Sequence, residues 1–459
     1  MADAKTQSTS KTISIYECKI ISSNGEVIDL IKPDSFSLVN IQLYEDIYSP
    51  VIHGYAKIVD GSGAYLLLNM HGNEYLSLSF GRPGDVGDRK YKRTFRIYSC
   101  ENKKQKGDSQ TQTYIIAFCS DEAIFSNQQT ISRTFEGAHP GTYIINVLLN
   151  DLKINIARIS PLLRQLASKQ PANVFDYVLT KYKPFEAIEF FAKHSLNENG
   201  SPFIFFENRN GYNFISLEDL FSQPSAGVLT HSSAKFSLPP EDAPFDSSMV
   251  SHEYKWTFDV LEGTKNAYYA DTLYTLDLIR QKFTKQEVSF KNFKSIDSLI
   301  DGFFPDNGAK NRNNKSLSQE FNAQPKYQLT NYGQTETPYF ISKRVRVNNT
   351  NIENTLIQRK MHLQMLENTR LWVHIPGNPY YTVGQVTEVD MPLFVQNDES
   401  AKDRTKDDFL GGKYLVTKLR HSITPDSMET FMLLSKNSVG KRMPAAAINN
   451  QYYNLARDY

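Results

Sequence analysis

From Thr12 to about Ser120, apolar and polar residues alternate in short runs, and this period of two constrains the chain more than any other feature. The runs are Ile13 to Ile21, Phe36 to Tyr44, Val51 to Asp60, Glu74 to Phe80, Tyr91 to Ser99 and Thr113 to Phe118. Turn-rich segments such as GRPGDVGDR and ENKKQKGDSQ separate them. Leu76, Leu78 and Phe80 against Ser77 and Ser79 display the two faces most plainly. Short strands at hairpin-like spacing predict one antiparallel sandwich or barrel.

Within this block, the stretch from Ile41 to Asp60 sets the local geometry. Val39, Ile41 and Leu43 alternate with Asn40 and Gln42, and a second run carries Ile52, Ala56 and Ile58 on one face. Pro50 fits beside the connection, because it has no N–H to give a ladder. Gly54 inside the second run marks a bulge or a close backbone approach. Glu45 and Asp46 then form an acidic corner, and with Pro50 they are the candidate contact to a neighbouring subunit.

After Asp121 the period changes to that of short amphipathic helices. GAHPGTYIINVLLNDL opens with Pro140 and places Ile144, Val147 and Leu148 on one stripe. PLLRQLASK and PANVFDYVLTKY follow as further helices, and KPFEAIEFFAKHSL starts at Pro184, a residue suited to a first helical turn. SPFIFFENRNGYNFISLEDL returns to strand character, with Asn208 to Gly211 as the hairpin turn. From about Ser222 to Asp246 the Ser/Pro-rich sequence reads as a linker.

A second β block opens at Val250, where His252, Tyr254, Trp256 and Phe258 alternate with polar residues, and continues through AYYADTLYTLDLI and KQEVSF. A polar, Asn-rich stretch interrupts it between about 296 and 350 and reads as a mobile loop. NIENTLIQRKMHLQMLENTR predicts a helix. Pro376 to Pro379 marks a turn, Gly384 a bulge or bend, and GKYLVTKLRHSI pairs with METFMLLSK across Thr424 to Ser427.

Composition excludes several classes. Charged residues nearly cancel, at a net +1, which argues against a nucleic-acid binder acting through bulk charge. Cys18, Cys100 and Cys119 are too few and too widely spaced for a disulfide framework or a zinc site. The longest apolar runs, AYLLL and PFIFF, fall far short of the roughly twenty residues that cross a bilayer, and no secretory h-region opens the chain.

No phosphate-binding loop, dinucleotide fingerprint, nucleophile elbow or EF-hand is present. His252-Glu253 lacks the second histidine of a zincin, because Trp256 stands in its place. His53, His374 and His421 sit in strands as barrel residues. The basic runs Arg89 to Arg93 and Lys310 to Lys315 read as a charge-blunted hairpin edge and a solvated loop. No catalytic, cofactor-binding or metal-binding residue is assigned.

Three segments carry a family resemblance. They are the run Glu45-Asp46-Ile47-Tyr48-Ser49-Pro50 with Gly54 and Asp60; the PFEAI helix followed by the PFIFFENRNGYNFISLEDL hairpin; and a helix followed by IPGNP, TVGQ, GKYLVTKLRH and METFMLLSK. In this order the chain resembles the central hub subunits in the baseplates of contractile-tailed (T4-like) bacteriophages, over most of residues 12–440. The motifs are structural patterns, not catalytic signatures.

The resemblance implies a mainly β, α+β architecture of two tail-tube-type antiparallel β-barrels with an α+β domain between them and an insertion in the second barrel. The expected divisions are 1–120, the first barrel; 121–222, the helical α+β domain; 223–295, a linker and the first part of the second barrel; 296–350, the insertion; 351–440, a helix and the rest of the second barrel; and 441–459, a C-terminal extension.

It also implies a structural virion protein of the tail baseplate, made in the host cytoplasm and not an enzyme. Three copies would form a pseudo-sixfold ring that adapts a hexameric tail tube to a trimeric cell-puncturing spike. The expected partners are further copies of itself, the spike protein, tube or tube-initiator proteins, the tape-measure protein and baseplate wedge proteins, with DNA only in transit. The alternatives are a hub of a contractile secretion or toxin-delivery particle, disfavoured because no fused spike follows the second barrel, and a tail-associated cell-wall hydrolase.

Overall fold

The computed structural model describes residues 13–31, 36–61, 63, 70–105, 111–136, 138–161, 163, 177–231, 248–256, 260–266, 268–278, 281–289, 315, 317, 326–330, 352–391 and 410–436. The alternating N-terminal block forms strands β1 (Ser14–Ile21), β2 (Val27–Asp29), β3 (Phe36–Asp46), β4 (His53–Asp60), β5 (Tyr75–Gly81), β6 (Tyr91–Gln105) and β7 (Gln112–Cys119). They pair in the order β3-β4-β7-β6-β5-β1-β2. Every ladder among them is antiparallel. Their inward residues, including Ile41, Leu43, Ile58, Leu76, Leu78, Phe80, Phe95 and Phe118, make one apolar core. Each such buried side chain contributes about 1.5–3 kcal/mol.

Two local outcomes differ from the alternation as read. Val39 is 37% exposed while Leu38 is buried, because a register shift between Leu38 and Asn40 resets the phase before Ile41. Gly54 is paired in register with Leu43, and a Cβ there would stand 2.4 Å from the Phe118 ring and 2.5 Å from the Gln42 carbonyl oxygen. Close approach, not a bulge, is what that glycine permits.

The middle of the chain contains α1 (Glu122–Asn127), β8 (Ile131–Phe135), α2 (Pro140–Asn146, continued by a π-helical turn Val147–Asp151), β9 (Tyr177–Tyr182), α3 (Pro184–Lys193), the hairpin β10 (Phe203–Asn208) and β11 (Gly211–Ser216), and α4 (Leu217–Phe221). Pro140 and Pro184 open their helices as expected. Ile144, Val147, Leu148, Ile188 and Phe191 pack with Phe203 and Phe214 in a core of their own. The expected helix over PANVFDYVLTKY is overturned: its last six residues are β9, antiparallel to β8. Among them only Leu179 is fully buried, and a single inward residue cannot anchor a helical stripe. The expected helix PLLRQLASK lies mostly outside the described residues.

The second β block consists of β12 (Ser225–His231), β13 (Ser248–Met249), β14 (Ser251–Trp256), a short helix α5 (Val260–Lys265), β15 (Ala270–Asp277), β16 (Lys282–Ser289), β17 (Lys326–Thr330), α6 (Ile352–Asn368), β18 (Thr369–Pro376), β19 (Val386–Asp390), β20 (Gly412–Ile423) and β21 (Met428–Lys436). Three expectations change here. Part of the linker is strand, since β12 pairs parallel to β19. β15 and β16 stay out of the large sheet and form a three-stranded sheet with β17. β17 itself comes from the stretch read as a mobile loop; most of 296–350, like the extension 441–459, lies outside the described residues. One face of α6, through Ile357, Met361 and Met365, covers this small sheet at Leu273 and Val288, together with Tyr268 and Tyr269 just before β15.

The two β blocks are not separate bodies joined by a tether. β20 pairs antiparallel with β3 from Lys418↔Asp46 to Ile423↔Ile41, and the result is one curled sheet of fourteen strands. The cores interlock along this seam. On β3, Ile41 and Leu43 belong to the first core and the following Ile47 to the second; on β20, Leu415 and Leu419 belong to the second and Ile423 to the first.

Candidate functional site: a buried polar junction

The middle unit meets the seam at the tip of its hairpin, and there the chain buries a charge cluster. Period two along β10 points Glu207 at the first sheet, where its side chain is fully buried. It accepts hydrogen bonds from the Ile52 N–H at 2.9 Å, the Ser120 hydroxyl at 2.5 Å and the Arg158 guanidinium at 2.8 Å, and from Arg93 in a short ion pair. Burial by itself raises the pKa of Glu207, but Arg93 and Arg158 outweigh it and hold the carboxyl below its ordinary range. Arg158 also pairs with Glu122 and lies over the Tyr212 ring.

The next two residues bind the second β block. Asn208 donates its Nδ2 to the Val383 carbonyl at 3.0 Å, and Arg93 donates to the Asn208 carbonyl at 2.9 Å. The Arg209 N–H donates to the Thr382 hydroxyl at 3.2 Å, and its guanidinium bonds the Pro379 carbonyl and, at 2.5 Å, the Arg89 carbonyl. One hairpin tip thereby bridges both halves of the sheet.

Gly211 closes the turn with φ +112°, and a Cβ there would stand 2.0 Å from the Arg158 carbonyl oxygen. Gly211→Ala is therefore expected to lower stability by about 2–4 kcal/mol, combining left-handed strain with backbone overlap, as read from chemical denaturation.

Of the corner residues singled out in the sequence, the structure brings Glu45 into this junction. Glu45 is 2% exposed, in phase with the buried Ile41, Leu43 and Ile47. Its Oε2 accepts from the Thr382 hydroxyl and from the Val383 N–H at 3.1 Å, while Oε1 is buried with no hydrogen-bond partner. Burial is the main force that pushes its pKa up to about 7, against the Thr382 and Val383 hydrogen bonds and the charge of Arg93.

Asp46 is also engaged within the chain: it pairs with Lys418 across the seam at 2.9 Å and accepts from the Tyr48 N–H at 2.9 Å. Pro50 is half-buried beside Tyr48, which is 43% exposed. The two carboxylates expected at a subunit contact thus make hydrogen bonds or ion pairs within the chain, and Tyr48 is the exposed residue there, with Asp46, Ser49 and Pro50 half-buried. Glu207 and Arg158 went unnoticed in the sequence, although Glu207 is the sole carboxylate within the apolar run of β10, and Arg93 was read only as part of the basic run Arg89 to Arg93.

The other residues considered carry no such cluster. His421 is buried beside the Thr430 hydroxyl at 3.1 Å, and burial lowers its pKa to about 3; His374 stacks on Phe431. Burial pushes Cys18 up to about 12 and Cys119 up to about 11, so neither is a ready nucleophile. Among the described residues no group of three or more His, Cys, Asp or Glu could hold a metal ion, and no helix is long and apolar enough to cross a membrane.

No family model matches the sequence. No curated protein matches it either. Solved structures do resemble the fold. The 43 kDa tail protein of prophage MuSo2 from Shewanella oneidensis aligns with a TM-score of 0.50 at 9% identity, over 92% of this chain and 98% of that one. A tail protein from Neisseria meningitidis aligns at 0.49 and 10% identity, over 93% and 99%. An E. coli component of the type VI secretion system aligns at 0.41 and 9%, over 94% and 79%. At such identity the likeness is one of fold: the chain shares its architecture with the Shewanella prophage tail protein.

Proposed function

We propose that this chain is a structural component of a phage tail, the central hub subunit of a baseplate, with three copies closing into a ring of six β units around a channel. The observation that carries the reading is the β20–β3 ladder, which joins two β blocks with distinct cores edge to edge in one fourteen-stranded sheet. A heterologous contact of that kind, repeated between copies, closes a ring if the rotation permits. Such a ring would present near-sixfold symmetry to a tail tube and threefold symmetry to a trimeric spike. The chain would be built into the virion tail after synthesis in the host cytoplasm, beside tube, tape-measure and wedge proteins, with DNA passing through.

The buried junction supports a load-bearing role better than a catalytic one. Its carboxylates are satisfied by, or shut in among, groups of the same chain, and the hairpin tip braces both β units at once. Sedimentation equilibrium of the concentrated protein, alone and with its spike partner, tests the reading: a species of three 52.4 kDa chains is expected, and a monomer under both conditions contradicts it.

A further inference from the structure

A row of side chains crosses the face of the large sheet that lies opposite its cores. His374, Phe431, Arg420, Tyr44 and His53 are successive cross-strand partners on β18, β21, β20, β3 and β4, so they stand side by side on one face and run across the β20–β3 seam. Their chain neighbours Val373, Met432 and Leu419 point the other way into the second core, and Leu43 into the first. The five are half-buried, and Tyr55 beside Tyr44 is 37% exposed.

The rings stand on edge. His374 stacks on Phe431 with centroids 4.3 Å and planes 9° apart, and Tyr44 on His53 at 5.3 Å and 6°. Paired strands lie about 4.8 Å apart, so rings stacked across them cover one another's faces and turn their edges, the positive end of the quadrupole, outward. Arg420 lies over Phe431 at 4.1 Å, and its side chain has neither hydrogen bond nor ion pair among the described residues, with its Nε buried. The neighbouring charges are engaged elsewhere: Asp46 holds Lys418 at 2.9 Å, and Glu429 lies 3.8 Å from His374.

The mass of the chain lies on the opposite side of the sheet. The β10–β11 hairpin, α4 and α6 pack into the second core through Phe206, Leu220 and Leu366. In a ring built of units set edge to edge, the sheet runs around the axis and its bulkier side needs the larger circumference, so the row faces inward.

We propose that this row, repeated in three copies, forms a collar around the channel and grips a protein segment that carries a carboxylate among apolar residues. The inference rests on the ring reading above. Rings on edge offer no face to a stacking base, and the single fixed cation of the row is too little for the counterion release that drives nucleic-acid binding. Tyrosine, phenylalanine and arginine are instead enriched where proteins meet, and an arginine without an acceptor is matched by a carboxylate.

Two measurements test it. In a Cys100→Ser background, Tyr55→Cys labelled with a maleimide gold cluster should place electron-microscope density in the central hole of the ring, and Ile156→Cys, an exposed position of the middle unit, should place it on the rim. A ring with the Tyr55→Cys label on its outer surface overturns the collar alone; the absence of any ring overturns the hub reading and the collar with it. In calorimetric titration of the ring, a synthetic helical peptide of leucine, alanine and glutamate should bind saturably. Arg420→Glu should weaken that binding at least about tenfold, the scale of a charge-assisted hydrogen bond, and favour the counterpart peptide with lysine for glutamate. No saturable binding, binding unchanged by Arg420→Glu, or duplex DNA binding through Arg420 in place of the peptide, each overturns the protein segment as the occupant.

Discussion

Glu207→Ala is expected to destabilise the chain by about 3–5 kcal/mol, the scale for removing one partner of a buried ion cluster. The loss does not come from the attraction of the pairs alone. Arg93, whose side chain is 9% exposed, would remain buried with its countercharge gone, and the Ile52 N–H and Ser120 hydroxyl would lose their acceptor. Arg158, one-third exposed, keeps Glu122 and suffers less. A double variant, Glu207→Leu with Arg93→Met, should recover most of the loss, because no unpaired charge is then enclosed. Chemical denaturation checks both; an alanine variant within about 0.5 kcal/mol of the parent, the range of an ordinary surface change, would show that the cluster does not hold the hairpin to the first sheet.

The second large effect is a pH dependence at Glu45. Its folded pKa of about 7 lies above the ordinary 4.5, so between these values the folded chain holds a proton that the unfolded chain has released. The protonated state's contribution is fully present below about pH 4.5 and is lost as pH rises through 7. The full swing is about 3 kcal/mol, from a shift of roughly two and a half pKa steps. Glu207 has the opposite sign: its depressed pKa gives stability present above about 4.5 and lost as pH falls further, so the two carboxylates act in separate windows.

Glu45→Gln keeps an acceptor for Thr382 and Val383 but carries no charge. Its stability should therefore stay nearly flat from pH 5 to 8, below the parent at pH 5, where its amide donors lack an acceptor, and level with or above it at pH 8. Parallel pH profiles for the two proteins would mean that Glu45 does not titrate in this range.

The same two residues show what was legible in the sequence. Alternation in the first block was readable because its partners are close along the chain and one face is buried; Leu76, Leu78 and Phe80 are all fully buried. The proline-led helices and the β10–β11 hairpin were readable for the same local reason. Glu45 shared the phase of Ile41, Leu43 and Ile47, so its inward direction was encoded, yet an adjacent acid and a proline made it look like an acidic corner facing a neighbouring subunit. What closes around it is Thr382 and Val383, more than 300 positions away.

Pairing between distant segments escaped in the same way. β12 finds β19 in parallel, and β15 finds β17 in parallel, and neither local pattern names its partner. The Ser-rich run around β12 looked like a linker because four of its seven residues are small or hydroxylated: Ser225, Ala226, Gly227 and Thr230. For β9, the aromatic and β-branched residues Tyr177, Val178, Thr180 and Tyr182 were the stronger signal, and helical spacing was the weaker one.

The most direct test of the hub reading is electron-microscope class averaging of the concentrated protein, alone and with the trimeric spike protein that the reading proposes as its partner. The account predicts a threefold particle with six lobes around a central hole, two lobes from each chain. Fields of monomers in both samples, or a ring in which each chain gives a single lobe, would contradict it.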